Sequence, residues 1–225
     1  MPRFKAIVFD LDGTLVDSVG SITAALNQLL KDEGLPPVRP DDVKDMVGDG
    51  AMKLLERGFA AAGRPVGADD LPGLFQRYVP LLTRMPPLAS DLYPGVVDTL
   101  RRFEMDHVAL GICTNKPYQP AVEAVRAMGL AGLFGAIVGG DSLPERKPAA
   151  APLLATIDRL GARPEDAVMV GDNGNDVGTA RNAGVPCVVV SYGYPRMPVD
   201  KLEADIVIDR FEDLPEALER LPARA

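Results

Sequence analysis

Histidine occurs once in this 225-residue sequence, at His107, and that scarcity removes whole classes of chemistry. A lone His ahead of the apolar run Val108–Cys113, with no Ser or Cys at a recognisable spacing, supplies no base for a serine or cysteine nucleophile. Cysteine is nearly as scarce: Cys113 and Cys187 each sit inside an apolar run and read as small buried hydrophobes, not as a disulfide framework or a metal pair. No stretch approaches the ~18 apolar residues of a transmembrane helix. No signal-peptide pattern precedes the first apolar run, so a cytoplasmic location is expected, with no membrane partner. An excess of positive charge is also missing. With 24 Lys+Arg against 32 Asp+Glu, the net charge is −8, which argues against nucleic acid or an anionic membrane surface. An anionic substrate would have to find its positive charge locally.

Hydrophobic residues at 47% and charged residues at 25% give the balance of a globular protein, one domain or a domain with a sizeable insertion. The first apolar run, Ala6-Ile7-Val8-Phe9, predicts a buried strand. Asp17 and Ser18 are candidate caps for a helix carrying Ile22, Ala25, Leu26, Leu29 and Leu30 at helical spacing, stopped by Gly34 and Pro36-Pro37. The helical pattern continues to about residue 88 with no period-2 segment, so residues 17–88 are expected to form an all-helical cap. Strand signals resume at 108–113, 136–138, 167–170, 186–190 and 206–208, separated by helical stretches. Alternation of this kind predicts an α/β fold: a doubly wound, mostly parallel, Rossmann-like core made of residues 1–16 and 89–225, interrupted by the cap.

Chemistry concentrates where strands end. Phe9-Asp10-Leu11-Asp12-Gly13-Thr14-Leu15 places two carboxylates just beyond the first strand, where open α/β sheets build their sites. In an extended segment residues i and i+2 share a face, so Asp10 and Asp12 are expected to converge, and a hard divalent cation such as Mg²⁺ would relieve their repulsion. Val168-Met169-Val170-Gly171-Asp172 repeats the arrangement. Parallel strands point one way, so Asp172 becomes a third candidate metal ligand on the same rim, with Asp176 placed to bind or orient it. Thr114-Asn115-Lys116-Pro117 follows another strand, and its hydroxyl and backbone N–H groups suit phosphate oxygens.

Asp10-Leu11-Asp12-Gly13-Thr14-Leu15-Val16-Asp17-Ser18 resembles the first motif of the haloacid-dehalogenase superfamily, and three later pieces match in order: Thr114-Asn115, Lys147-Pro148 and Gly171-Asp172 with Asp176. Within that superfamily the segments Val138-Gly139-Gly140-Asp141 and Tyr192-Gly193-Tyr194 look most like the phosphoglycolate phosphatases, with Asn173 standing where Ser or Ala is more usual. The resemblance implies a Mg²⁺-dependent phosphatase acting on a small phosphorylated metabolite, as a monomer or homodimer. Asp10 would attack phosphorus and form an aspartyl-phosphate, Asp12 would serve as acid and then base, and Lys147 would steady the charge. Thr114 and Asn115 would bind the phosphoryl group; Mg²⁺ would be held by Asp10, Asp172 and Asp12, the last through its main-chain carbonyl. In the cap, Lys53 and Arg57 share a helix face behind the Gly48–Gly50 bend, and Arg57 is the expected partner for the carboxylate of 2-phosphoglycolate. A sugar-phosphate phosphatase, a pyrophosphatase, a phosphoglucomutase or a non-catalytic Mg²⁺- or phosphate-binding module would use the same core motifs.

Overall fold

The computed structural model describes residues 3–221, so the first two and last four positions of the expected core lie outside it. Six short strands, β1 (Ala6–Phe9), β2 (Ala109–Cys113), β3 (Ala136–Val138), β4 (Ala167–Gly171), β5 (Cys187–Val190) and β6 (Ile206–Ile208), form one sheet. Their order is β3-β2-β1-β4-β5-β6, and every neighbouring pair is parallel. The chain runs outward from β1 through β2 to β3, then crosses back to β4 on the other side. The switch between β1 and β4 is where sheets of this winding open a crevice beyond their strand ends.

Helices cover both faces, which is why the central strands read as unbroken apolar runs. Ile7 and Phe9 point into one cluster with α5 (Val96–Met105), α6 (Tyr118–Ala127) and α9 (Leu214–Arg220). Ala6 and Val8 point the opposite way, onto α7 (Ala151–Arg159) and α8 (Gly174–Ala183). Cys113 and Cys187 are buried on β2 and β5.

Between β1 and α5 the chain forms α1 (Val19–Asp32), α2 (Pro40–Lys44), α3 (Ala51–Ala61) and α4 (Leu71–Arg84). Their apolar faces make a third cluster, joined from the core by Tyr194. The five apolar positions read along α1 are all buried. One capping expectation needs correction. Asp17 Oδ1 accepts from the Val19 N–H at 3.4 Å, but the Ser18 hydroxyl is buried and makes no cap bond. Ser18 has φ −89° and ψ 1°, away from the extended geometry that aims an N-cap side chain back at its own helix.

Candidate active site

Two strand ends define the floor. The Asp10 N–H bonds the Val170 carbonyl at 2.9 Å, continuing the β1–β4 ladder by one residue and setting Asp10 beside the Gly171–Asp172 exit of β4. Beyond Asp10 the chain turns. Gly13 holds φ +87°, and a Cβ there would collide with the Asp172 carboxylate. The turn lets the backbone approach closely enough for the Thr14 hydroxyl to donate to Asp172 Oδ1 at 3.2 Å.

Asp176 is fixed by the start of α8. Asn173 caps that helix by accepting from the Asn175 N–H at 2.9 Å, and Asp176 Oδ2 reaches back to the N–H groups of Asp172 and Asn173, both at 3.1 Å. The reciprocal bonds form a capping box. Asn173 also donates to Asp172 Oδ1 at 3.1 Å, and the Tyr194 N–H donates to Asp172 Oδ2 at 2.7 Å.

Lys147, 3% exposed, ties the floor together with Nζ 2.9 Å from Asp10 Oδ2 and 2.6 Å from Asp176 Oδ1. Carboxylate oxygens of Asp10, Asp172 and Asp176 all lie within 4.8 Å of one another. Burial pushes the Asp10 carboxyl up to about 6 against the pull of Lys147. Burial, with the neighbouring charges of Asp176 and Asp10, also holds Asp172 well above the ordinary carboxylate range. For Lys147, burial alone would lower the pKa; Asp10 and Asp176 outweigh it, and the ammonium is held above its usual value. Three buried carboxylates against one ammonium leave excess negative charge with hard oxygen donors, which fits a small divalent cation.

The expected convergence of Asp10 and Asp12 takes a different form. Because β1 ends at Phe9 and the chain bends, the Asp12 carboxylate leaves the trio and meets Lys116, whose Nζ lies 2.9 and 3.1 Å from its two oxygens. Both aspartates nevertheless line one pocket, with Thr114, Asn115 and Lys116 from the core. Thr114 Oγ1 accepts from the Lys116 N–H at 3.2 Å and keeps its own proton to donate. Asn115 donates to the carbonyls of Gly48 and Lys147 at 2.9 and 3.1 Å, while its Oδ1 is buried without a partner among the described residues.

Helices α1, α3 and α4 supply the opposite wall with Ile22, Leu54, Tyr78 and Leu82. Arg57 is absent from that lining. Its guanidinium donates to Asp49 Oδ2 at 2.6 Å and the Met46 carbonyl at 3.0 Å, and Lys53 pairs with Glu56 at 2.6 Å. Asp49 is held from the core as well, by Arg196 and by Asn175 Nδ2 at 2.9 Å. Lys116, Asn173 and Tyr78 carry no role in the sequence reading. For Lys116 a signal existed, since it shares the post-strand loop with Thr114 and Asn115; Tyr78 looks like any apolar-face residue of α4.

A family model described as haloacid dehalogenase-like hydrolase matches residues 7–190. A phosphoglycolate phosphatase of Caulobacter vibrioides is 44% identical over 211 residues, covering 94% of this chain and 89% of the relative. One from Rhodospirillum rubrum is 45% identical over 214 residues, covering 93% and 89%. Among solved structures, a predicted phosphoglycolate phosphatase from Haemophilus somnus superposes with TM-score 0.85 at 32% identity, covering 96% of this chain and 99% of that one. CbbY from Rhodobacter sphaeroides in complex with phosphate superposes with TM-score 0.75 at 25% identity, covering 94% and 96%. The strand-end carboxylates thus belong to a shared architecture as well as a shared sequence pattern, and the chain is a member of the haloacid dehalogenase-like hydrolases, on their phosphoric monoester hydrolase branch.

Proposed function

We propose that this hydrolase is a Mg²⁺-dependent phosphatase that cleaves 2-phosphoglycolate to glycolate and phosphate through an aspartyl-phosphate on Asp10. The observation that carries the mechanism is the Lys147 ammonium, 2.9 Å from the Asp10 carboxylate and locked by Asp176, on the floor of the β1–β4 crevice. The curated relatives support the choice of substrate.

Asp10, Asp172 and the main-chain carbonyl of Asp12 would hold the cation, with Asp176 oriented toward Lys147 and the α8 cap. When bound, Mg²⁺ neutralises phosphoryl charge and lowers the repulsion met by an anionic nucleophile. The Asp10 carboxylate attacks phosphorus, and the leaving alkoxide departs. Asp12 protonates that alkoxide and then takes a proton from the water that hydrolyses the acyl phosphate. Lys147 steadies the charge on Asp10 and the phosphoryl oxygens, and the Thr114 hydroxyl donates to one of those oxygens. Asn115 lines the same pocket and would bind the phosphoryl group beside Thr114. The cap of residues 17–88 covers the site and excludes water until substrate is in place.

The test is phosphate release from 2-phosphoglycolate by purified protein with Mg²⁺, after EDTA, and after Mg²⁺ is restored. Activity should vanish and return. Turnover that is indifferent to EDTA, or absent with this ester, overturns the corresponding half of the reading.

A further inference from the structure

The cap wall of the pocket contains a polar group that the mechanism does not use. Tyr78 on α4 is wholly buried, and its hydroxyl is without a partner among the described residues. It lines the same pocket as Asp12 and Lys116. A buried hydroxyl left unpaired carries a desolvation cost that a well-packed Phe would avoid, so its presence at a ligand surface calls for a ligand atom. Burial, followed by the nearby Asp12 charge, raises the phenol above its ordinary pKa, so the group remains a donor.

Everything else the cap contributes to that wall is apolar or backbone: Ile22, Val47, Leu54 and Leu82 around Gly48, Gly50 and Ala51. The Gly48 carbonyl is already taken by Asn115 and Asn175. On the core side, Lys116 Nζ donates to the two Asp12 oxygens, and an ammonium has three protons. A leaving group here meets one hydroxyl donor, one spare ammonium proton and an otherwise apolar surface. A polyhydroxylated leaving group would bury several hydroxyls against Leu and Ile side chains, a loss that sites of this kind use for rejection.

We propose that the Tyr78 hydroxyl is the specificity-determining donor of the cap: with Lys116 it binds the single anionic or acceptor end of a short leaving group, and the apolar wall around it turns away sugar phosphates. This deepens the phosphatase reading above and rests on it. It also assigns to Tyr78 and Lys116 the carboxylate recognition that Arg57, paired with Asp49, is not placed to give.

The experiment compares kcat/KM of wild type and Tyr78→Phe on 2-phosphoglycolate and on ethyl phosphate, which has the same length without the carboxylate. Glucose 6-phosphate is the third substrate. In wild type, 2-phosphoglycolate should exceed glucose 6-phosphate by at least about a hundredfold, and Tyr78→Phe should collapse the 2-phosphoglycolate to ethyl phosphate ratio about tenfold, the size expected for one hydrogen bond to a charged group. The variant's melting temperature should hold or rise, because the deleted hydroxyl has no partner in the free protein. A ratio within twofold of wild type overturns the role of Tyr78, and a sugar phosphate turned over as well as 2-phosphoglycolate overturns the apolar wall. If wild type cleaves another short ester but not 2-phosphoglycolate, the substrate reading falls by itself. The Tyr78→Phe ratio is then measured on that ester and its analogue lacking the polar end, where an unmoved ratio overturns the assignment.

Discussion

Lys116 reaches across the pocket to Asp12 and holds both of its carboxylate oxygens, at 2.9 and 3.1 Å, although the two residues are 104 positions apart in the chain. The pair aims the proposed acid and base at the pocket and keeps it off the carboxylate trio. Asp12→Asn should lower turnover of 2-phosphoglycolate by about 10²–10⁴, the usual weight of general acid–base catalysis. Lys116→Met should act in the same direction with a smaller factor. With p-nitrophenyl phosphate, whose leaving group needs little protonation, both losses should shrink. Equal losses on the two esters would take Asp12 out of the acid role.

Asp10→Asn should reduce turnover to below a few per cent of wild type with the fold intact. An amide is a poor nucleophile, yet it can still accept the Leu11 N–H bond made by Asp10 Oδ1 at 2.7 Å. Lys147 retains Asp176 as its counter-charge, so no buried ammonium is stranded. Steady-state rates and circular dichroism decide this together. Substantial residual activity in a folded variant would exclude the covalent route.

What was legible before the structure was the sheet and its rim. Runs such as Ala6–Phe9 and Ala167–Gly171 are apolar throughout because both faces are covered, and Asp10 and Asp172 follow directly from where those runs end. Asp10 and Asp12 do share one pocket, but the i, i+2 argument presumes extended backbone and the chain is already turning toward Gly13, so the Asp12 carboxylate meets Lys116 instead of the trio. Lys116 and Tyr78 acquire their meaning only through contacts between distant segments, which leave no periodic trace. Arg57 shows the reverse: a helix face can be inferred from spacing, but which acid meets it depends on where the Gly48–Gly50 bend sets Asp49.

That bend supports a prediction about closure. Asp49 joins Arg57 of α3 to Arg196 and Asn175 of the core, and the hydrogen bond from Arg196 leads the contacts that hold its carboxyl well below the usual range. The group is partly open to solvent, so the network is screened and contributes roughly 1 kcal/mol or less. Asp49→Asn and Arg57→Ala should each lower the melting temperature by roughly 2–4 °C, and less at high salt. Both should depress activity on 2-phosphoglycolate and p-nitrophenyl phosphate by similar factors. A loss confined to 2-phosphoglycolate in Arg57→Ala would instead put Arg57 on the substrate's carboxylate.

The acidic floor makes stability depend on pH and metal in a way that separates it from the surface carboxylates. Glu33, Asp42, Asp49 and Asp166 have pKa values lowered by arginine or lysine partners, so the stability they supply is present above pH ~4 and lost as the pH falls below it. Asp10 has the opposite sign. Its carboxyl sits at about 6 in the fold against 3.8 in the unfolded chain, and Asp172 is also raised. The native state therefore holds more protons than the unfolded state between these values, and stability falls as pH rises through about 4 to 6. Above that window the Asp10 carboxylate adds its full charge to the acidic floor of the metal-free protein. A divalent cation that binds only the ionised site reverses the loss, adding about 2.7 kcal/mol at a hundred times its Kd, or roughly 5–10 °C for a chain of this size. The expected result is a melting temperature after EDTA that declines from pH 5 to pH 7, and a Mg²⁺-induced rise that is larger at pH 7 than at pH 5. Asp172→Asn removes one of the repelling charges and one of the oxygen anions, so it should flatten the metal-free decline and blunt the Mg²⁺ response together. The decline that remains in Asp172→Asn is the share of the buried Asp10 carboxyl, and a decline that also survives in the Asp10→Asn/Asp172→Asn double variant would place its origin outside the Asp10–Asp172–Asp176 cluster.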